Sequence, residues 1–564
     1  MTRRWRVREE SVAGEPVIDR LLSLRGVVTP EDRRRFLEPD YDRDLHDPFL
    51  FSSMDTVMRR IRAAKEAGER VGVFGDFDAD GVTSSVLLRE GLERVGLAVS
   101  VYIPDKHVEG HGLSLPALDA FSRDGVRLVF TVDCGMMNHA EIAEANVRGM
   151  DVIVIDHHHV PETLPAAFAI VNPKLRNETY PFKELCGAGT TFKVVQAMYH
   201  TFLPKEWDQL KWLLDVAAIG TVADVMPLVG ENRVIVAFGL IVLAKTRRVG
   251  LQEMISLGRM PLRFGKPVIA RDIAFHIAPR INAASRMAHA RIAHDLLMET
   301  DSSRARALAS ELESRNDERR KVSDAITESV RTEAIRSSDR DIVFAADEGF
   351  HFGVIGLVAG RIANEFRKPV IVLTKGEKES RGSLRSIPEV NIVEALEECS
   401  DLLIRFGGHA QAAGLSIENG NLVSLEKRLS GIVRRELEGK ETEPELVADI
   451  AIDPSEISLD LARSLRKLAP FGEGNPEPVF YAGGAEVSEV RSVGSDGKHI
   501  KLVLSFPGGR SLDAIGFSLA ERIPGLHSQD RIDILFQIDE NEWQGSVKLQ
   551  LKLVDMRRSD TEKS

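Results

Sequence analysis

Cysteine is scarce. The 564 residues hold three, Cys134, Cys186 and Cys399, all far apart. No CxxC pair exists to form a zinc knuckle, and a disulfide framework has no support, which fits a reducing cytoplasm. Long apolar runs are also missing. The longest are strand-sized, too short for a membrane-spanning helix. The stretch from Met1 to Glu10 carries positive charge but no apolar segment, unlike a secretory signal. No GxxxxGK[ST] phosphate loop occurs, so an ATP-driven motor is not supported. Positive charge is in deficit: the net charge of −12 argues against coating nucleic acid by bulk attraction, while leaving room for a local basic channel. What is present, 43% hydrophobic and 28% charged residues, suits a globular chain long enough for three or four domains.

The densest chemistry lies at residues 71–84. Val71 to Phe74 reads as a buried strand. Carboxylates follow on alternate residues, Asp76, Asp78 and Asp80. Gly81 then opens a turn, and Thr83 or Ser84 can cap the next helix. In open α/β sheets, ligands sit beyond the carboxyl ends of strands. Three acids there repel one another unless a cation lies between them, and a divalent ion with oxygen ligands is the simplest answer. By themselves these residues fit a solvated acidic turn equally well.

The rest of the chain adds weight to one side. Residues 1–50 read as an irregular arm with a short helix around Glu31–Phe36. From Met54 onward helices and strands alternate, which implies βαβ units and a mainly parallel sheet. Strands are predicted at 71–74, 98–103, 128–132, 152–155 and 168–171. Asp133 follows the third of these. Asp156, His157, His158 and His159 follow the fourth. A lone Asp after a strand is usually a helix cap, but three strands delivering acids to one sheet edge point to a shared site. Asp224 interrupts a helix-like apolar pattern, and a buried unpaired carboxylate is costly. Residues 301–338 form one long polar helix with a thin seam of Leu308, Leu312, Val322, Ile326 and Val330. A second α/β segment follows, carrying Gly382-Ser-Leu-Arg-Ser-Ile387 and Gly407-Gly-His409, whose glycines would let backbone N–H groups approach a phosphate. Residues 445–557 change to short alternating strands, the pattern of a small barrel.

Asp156-His157-His158 together with Gly75-Asp-Phe-Asp-Ala-Asp-Gly81, Thr131-Val-Asp-Cys-Gly135, Gly220-Thr-Val-Ala-Asp-Val-Met-Pro-Leu-Val-Gly-Glu-Asn-Arg233, Ala278-Pro-Arg-Ile-Asn-Ala-Ala-Ser-Arg-Met287 and Arg405-Phe-Gly-Gly-His-Ala-Gln-Ala-Ala-Gly414 resembles the DHH phosphoesterase superfamily. Within it the likeness is to the RecJ group of single-stranded-DNA-specific exonucleases, from about residue 50 to the C-terminus, in the expected order. The resemblance implies an N-terminal arm (1–50), a parallel-sheet DHH catalytic domain (51–300), a connector helix (301–338), a second α/β, DHH-associated domain (339–440) and an all-β OB-fold barrel (445–557) that binds nucleic acid. It implies 5′-to-3′ hydrolysis of single-stranded DNA in repair and recombination by two-metal catalysis, with manganese favoured by mixed oxygen and nitrogen ligands and magnesium also suitable. Asp78 and Asp133 would hold one ion, and Asp80, Asp133, His157 and Asp224 the other. Asp76 would support them, His158 would contact the phosphate, and Asp156 would orient a histidine or a backbone group. His159 is given no role. Arg280, Asn282, Ser383, Arg385 and His409 resemble positions that hold the strand and its 5′ phosphate.

Three departures from the family pattern stand out. Ser285 replaces the usual glycine, Lys106 stands where arginine is common, and His111 where tyrosine is common. Lysine keeps the charge but loses bidentate geometry. Phe471, Phe480, Tyr481 and Trp543 are the barrel aromatics on offer for stacking, each also a natural core residue. The resemblance further implies single-strand-binding protein and a helicase as partners, and a monomer. Three other readings compete: a DHH phosphodiesterase for short oligonucleotides or cyclic dinucleotides, a catalytically dead DHH scaffold in a replication complex, and a HAD-type phosphatase suggested by Asp78-Ala-Asp80-Gly81. The barrel argues against the first and the full set of acids against the second. The third has no need of Asp156-His157-His158.

Overall fold

The computed structural model describes residues 4–9, 14–106, 108–258, 260, 267–440, 445–494, 496–543 and 546–559. Its first strand, β1 (Arg4–Glu9), belongs to the far end of the chain and is taken up below. The catalytic-domain sheet is built from β2 (Arg70–Gly75), β3 (Ala98–Tyr102), β4 (Val126–Val132), β5 (Asp151–Ile155) and β6 (Ala169–Val171). All neighbours pair in parallel, in the order β3-β2-β4-β5-β6. The strands are apolar on both sides because both faces are covered. Val71, Val73, Phe130 and Ile155 enter one core, and Phe74, Val129, Val152 and Val154 enter another.

Strand order matters more than strand content here. β2 has β3 on one side and β4 on the other, so the connections diverge at its carboxyl end and leave a crevice there. Gly75 is level with Val132, and Val132 with Ile155. The next residue of each strand is an aspartate. The ladder runs one step further, with Asp76 N–H donating to Val132 O (3.3 Å) and Asp133 N–H to Ile155 O (2.9 Å). Asp76, Asp133 and Asp156 therefore stand in one row.

A 35-residue helix, Ser302–Arg336, leads out of this domain, with Asp301 capping its start. It buries Leu312, Ile326 and Val330 of the predicted seam, with Ala305 and Ala309. The second domain holds β7 (Val343–Asp347), β8 (Val370–Lys375), β9 (Glu379–Arg385), β10 (Leu403–His409) and β11 (Ala412–Glu418), in the order β10-β11-β9-β8-β7. Only β7 and β8 run parallel. The glycines predicted to let backbone approach a phosphate lie inside strands: Gly382 in β9, flanked by β8 and β11, and Gly407 and Gly408 in β10, the edge strand, paired with β11.

The C-terminal barrel contains β12 (Glu445–Ala451), β13 (Phe480–Val493), β14 (His499–Phe506), β15 (Arg510–Gly516), β16 (Arg531–Trp543) and β17 (Ser546–Arg558). The β13–β16 pairing closes it. β1 joins its edge in parallel with β12. Val17, Leu21 and Leu22 of the helix Val17–Leu24, with Phe36 of the helix Pro30–Leu37, lie in its core. The expected irregular arm is thus divided: β1 and the helices Val17–Leu24 and Pro30–Leu37, the latter where a short helix was expected, join the last domain, whereas Tyr41 and Leu45 lie in the core of the catalytic domain. No local pattern reveals a strand whose partner lies more than 400 residues away.

Arg233 fastens these parts together. Its buried guanidinium donates to the carbonyls of Phe36, Leu468, Lys467 and Ala469. The catalytic domain, the N-terminal segment and the entry to the barrel therefore share one side chain. Leu228 N–H adds a bond to Glu473 O at 2.7 Å.

If the N-terminal segment is part of the barrel core, Leu21→Ala should cost about 2–5 kcal/mol of barrel stability. Amide hydrogen exchange should then speed up in β12 and β13 while β2, β4 and β5 keep their protection. Uniform loosening of both sheets would contradict this assignment.

Candidate active site

The backbone fixes the acids before any ligand arrives. Asp133 sits at φ 60°, a left-handed conformation that aspartate tolerates better than most residues. Gly187 must be glycine beside it, since a Cβ there would lie 2.6 Å from the Asp133 Cβ. A Cβ on Gly220 would lie 2.5 Å from Thr83 Oγ1 and 2.8 Å from Asp80 Oδ1. Helices thus press against the acids at glycine positions. The helix after β2 is Ala79–Arg94, and its cap is Asp78, whose Oδ1 accepts from the N–H groups of Asp80 (2.9 Å) and Gly81 (3.0 Å). Thr83 and Ser84, the expected caps, lie inside it. The carboxylate one turn earlier reaches the free N–H groups first.

Asp80 is anchored by another helix. The N–H groups of Gly187 and Ala188, at the start of the helix Gly187–Phe202, donate to its two oxygens at 2.7 and 2.8 Å. A helix N-terminus favours a negative charge there. His157 Nε2 points into the same space, 3.2 Å from Asp133 Oδ1, 3.5 Å from Asp224 Oδ2 and 3.8 Å from Asp80 Oδ2. Asp224 ends the helix Leu214–Ala223.

Electrostatics show what is wanting. Burial, then the neighbouring Asp78 carboxylate, pushes Asp80 up to about 6. Burial and Asp80 push Asp224 to about 8. Burial and the Asp80, Asp78 and Asp76 carboxylates hold Asp133 well above the usual range. Burial, then His158, lowers His157 to about 3, so its imidazole is neutral with a lone pair available. Asp76 Oδ1, Asp133 Oδ1 and both ring nitrogens of His157 are buried without a hydrogen-bond partner. Neutral imidazole and carboxylates are the donor set of manganese or magnesium sites. Among the described residues the groups fall into three overlapping clusters whose ligand atoms lie within 4.8 Å of one another: Asp76, Asp78 and Asp133; Asp80, His157 and Asp224; and Asp133, His157 and His158. Asp76, read from sequence as a supporting acid, shares one of these clusters with Asp78 and Asp133.

Asp156 faces away from these clusters. Its Oδ1 accepts from the backbone N–H groups of His157 (2.7 Å) and His158 (3.1 Å) and lies 2.8 Å from His158 Nδ1. Its Oδ2 accepts from Met136 N–H at 3.2 Å. The hydrogen bond to Asp156 raises the His158 imidazole to about 9, so a cation faces the half-open cleft. His159 is exposed.

The residues expected to hold the strand divide. Asn282 Oδ1 accepts from Ala79 N–H at 2.9 Å and so braces the acid turn. Ser383 and Arg385 share one face of β9, with Arg385 Nη1 donating to Ser383 Oγ at 3.2 Å. Arg385 is level with Ala412, and Ala412 with His409, while Ser383 is level with Gly414, and Gly414 with Gly407. These residues form a partly bare face of small and basic side chains. Arg280 requires a correction. It is buried, with Nε and Nη2 on Glu313 of the long helix at 2.5 and 2.9 Å and its other donors on the carbonyls of His276 and Gly258. It is an ion pair between catalytic domain and connector, and sequence cannot show that the seam of that helix carries a matching acid.

Arg286, inside the motif Ala278–Met287 but given no role from sequence, is a cation near the acids. Burial lowers it, with Asp78 and Arg385 the charges it feels most. Lys106 is lowered by burial and then by Arg286, with Arg385 also near, and its ammonium lies 4.8 Å from the Phe77 ring centroid. His111 Nδ1 lies 3.3 Å from Asp76 Oδ2. Among the barrel aromatics, Phe480 is fully buried, Phe471 is partly buried in the barrel core and Tyr481 packs on Trp5. The Trp543 side chain lies outside the described residues.

Comparison with known proteins agrees with this geometry. Residues 70–221 match the DHH family N-terminal domain, residues 339–435 the DHHA1 domain and residues 448–555 the RecJ OB domain. The chain is 36% identical over 548 residues to the single-stranded-DNA-specific exonuclease RecJ of Bacillus subtilis, covering 97% of this chain and 68% of that protein. It is 32% identical over 558 residues to the RecJ of Escherichia coli, covering 95% of each. The crystal structure of RecJ in complex with Mn2+ from Thermus thermophilus superposes with a TM-score of 0.82 at 29% identity, covering 99% of this chain and 80% of that one.

Two outcomes follow from these contacts. Asparagine also tolerates a left-handed backbone, so Asp133→Asn should fold, and its metal-free thermal midpoint should not fall because one buried repulsion is gone. Added Mn2+ should raise the midpoint of the unaltered protein, as any ligand of the folded state does, and leave that of the variant unmoved. Arg280→Ala should instead cost about 3–5 kcal/mol, the penalty for stranding a buried partner, while the Mn2+ shift survives. Both are read by calorimetry with and without the ion.

Proposed function

Because the chain belongs to the RecJ single-stranded-DNA-specific exonucleases of the DHH family, we propose that it degrades single-stranded DNA from the 5′ end by metal-dependent hydrolysis, in DNA repair and recombination. The observation that carries this reading is the row of strand ends bearing Asp76, Asp133 and Asp156-His157, with buried ligand atoms left unpaired. Divalent ions held by Asp76, Asp78 and Asp133 and by Asp80, His157 and Asp224, with Asp133 between the two sets, would supply an activated water and offset charge on the phosphoryl oxygens.

The chain's own groups do the rest. Asp156 fixes the His158 ring so that its outer N–H meets a non-bridging oxygen of the scissile phosphate. Ser383, Arg385, Arg286 and Lys106 take the terminal 5′ phosphate, which sets the direction of digestion. Lys106 offers that phosphate a point charge in place of a guanidinium fork. Asn282 keeps the acid turn in place, and His409, level with Arg385, meets the next phosphate. The barrel follows the strand through backbone contacts. A duplex has to be opened first, and the chain carries no nucleotide-hydrolysing loop, so a helicase supplies the single strand and single-strand-binding protein delivers it. One copy of the chain, working as a monomer in the cytoplasm, contains every group invoked.

A time course with Mn2+ on a long single strand labelled at its 3′ end tests this directly. The product ladder should shorten from the 5′ side, and the same strand in a blunt duplex should survive. Turnover confined to di- and trinucleotides would overturn the assignment in favour of a small-oligonucleotide phosphodiesterase.

A further inference from the structure

We infer that Val225 is a substrate-contacting residue whose apolar side chain meets the sugar and base of the nucleotide held at the acid cluster. The inference rests on the nuclease reading above.

The helix Leu214–Ala223 is capped by Asp224, at φ −84°, and the residue after the cap, Val225, is left-handed. Val225 N–H donates to Val222 O and Met226 N–H to Thr221 O, both at 3.2 Å, the paired bonds of a Schellman ending. The left-handed position of that ending is usually glycine, because a Cβ there is crowded. Here it is valine at φ 55°. Among the described residues, Asp133, Val225, Arg367, Ser518 and Gln529 are the non-glycine residues with positive φ, and Val225 is the β-branched one. A β-branched side chain is the poorest fit to this conformation.

Packing does not account for it. Val225 is 65% exposed, whereas Met226 beside it is 8% exposed and lies in the core of the catalytic domain. The fold therefore holds a strained residue and presents its side chain to solvent. Strain of this kind concentrates at sites of function. Asp133, an acid of the cluster itself, is another of the five.

Its position supplies the function. Val225 directly follows Asp224, whose Oδ2 lies 3.5 Å from His157 Nε2. Three residues later, Leu228 N–H is bonded to Glu473 O at the entry to the barrel. Three residues of chain span at most about 11 Å. Val225 thus stands on the short loop between the acids that cut and the domain that holds the strand. An uncharged, apolar contact there grips the sugar and base without competing with the carboxylates for cations or with the cations for phosphate.

Val225→Gly relieves the strain and removes the side chain. Its thermal midpoint should rise by about 2 °C. With Mn2+ and a single-stranded oligonucleotide, KM should rise about tenfold, the factor expected for two lost methyl contacts, with kcat within twofold. The half-saturating Mn2+ concentration should not change, since Asp224 stays in place. Val225→Ile keeps the apolar surface and should keep KM within twofold. An unchanged KM in Val225→Gly would overturn the inference, as would a rise accompanied by weaker Mn2+ dependence. Failure of the unaltered protein to digest the strand would remove the nuclease reading, and this inference with it.

Discussion

Repulsion between carboxylates gathered in a buried crevice is the constraint on which the rest of the structure depends. Asp76, Asp78, Asp80, Asp133 and Asp224 cannot all ionise together out of water. The chain lowers the difficulty without removing it. Helix N-termini donate to Asp78 and Asp80, and a neutral His157 stands among the acids in place of another charge. What is left over is a set of unpaired ligand atoms facing one another. Divalent cations complete that arrangement, so the stability of this region and its chemistry share one cause.

Holding such a cluster requires rigid surroundings. The parallel sheet supplies the first layer, since a continuous ladder places three strand ends level. Glycines at 187 and 220 supply the second by letting helices approach to distances a Cβ would forbid. Arg233 supplies the third by tying the catalytic domain to the N-terminal segment and to the barrel. Asn282 ties the acid turn to the helix that carries Arg286, and Arg286 in turn reaches Gly353 of the second domain. Acids, cations and barrel are thereby fixed relative to one another.

Much of this was legible in the residues. Alternation of apolar runs with helical patterns gave the parallel sheet, and acids trailing three strands gave the site. The same reading did less well wherever an outcome depended on a distant partner. The N-terminal segment looked irregular because β1 and Leu21 complete a barrel more than 400 residues away. Arg280 looked like a phosphate ligand because sequence shows an arginine in a motif and not the Glu313 that meets it. The glycines at 382 and 407 were read as letting backbone N–H groups approach a phosphate because their strand partners were unknown. Val225 passed unremarked, since nothing in a sequence marks a valine as left-handed.

By itself, then, the sequence determined which residues could bind a divalent ion and roughly where strands and helices begin, because hydrophobic period and side-chain chemistry are local. Tertiary structure alone decided which carboxylates come within reach of one another, which arginine lies near the acids and which is locked in an ion pair, and where β1 and the first helices belong. Those depend on strand order, register and helix approach, and each is set by packing between segments that are far apart along the chain.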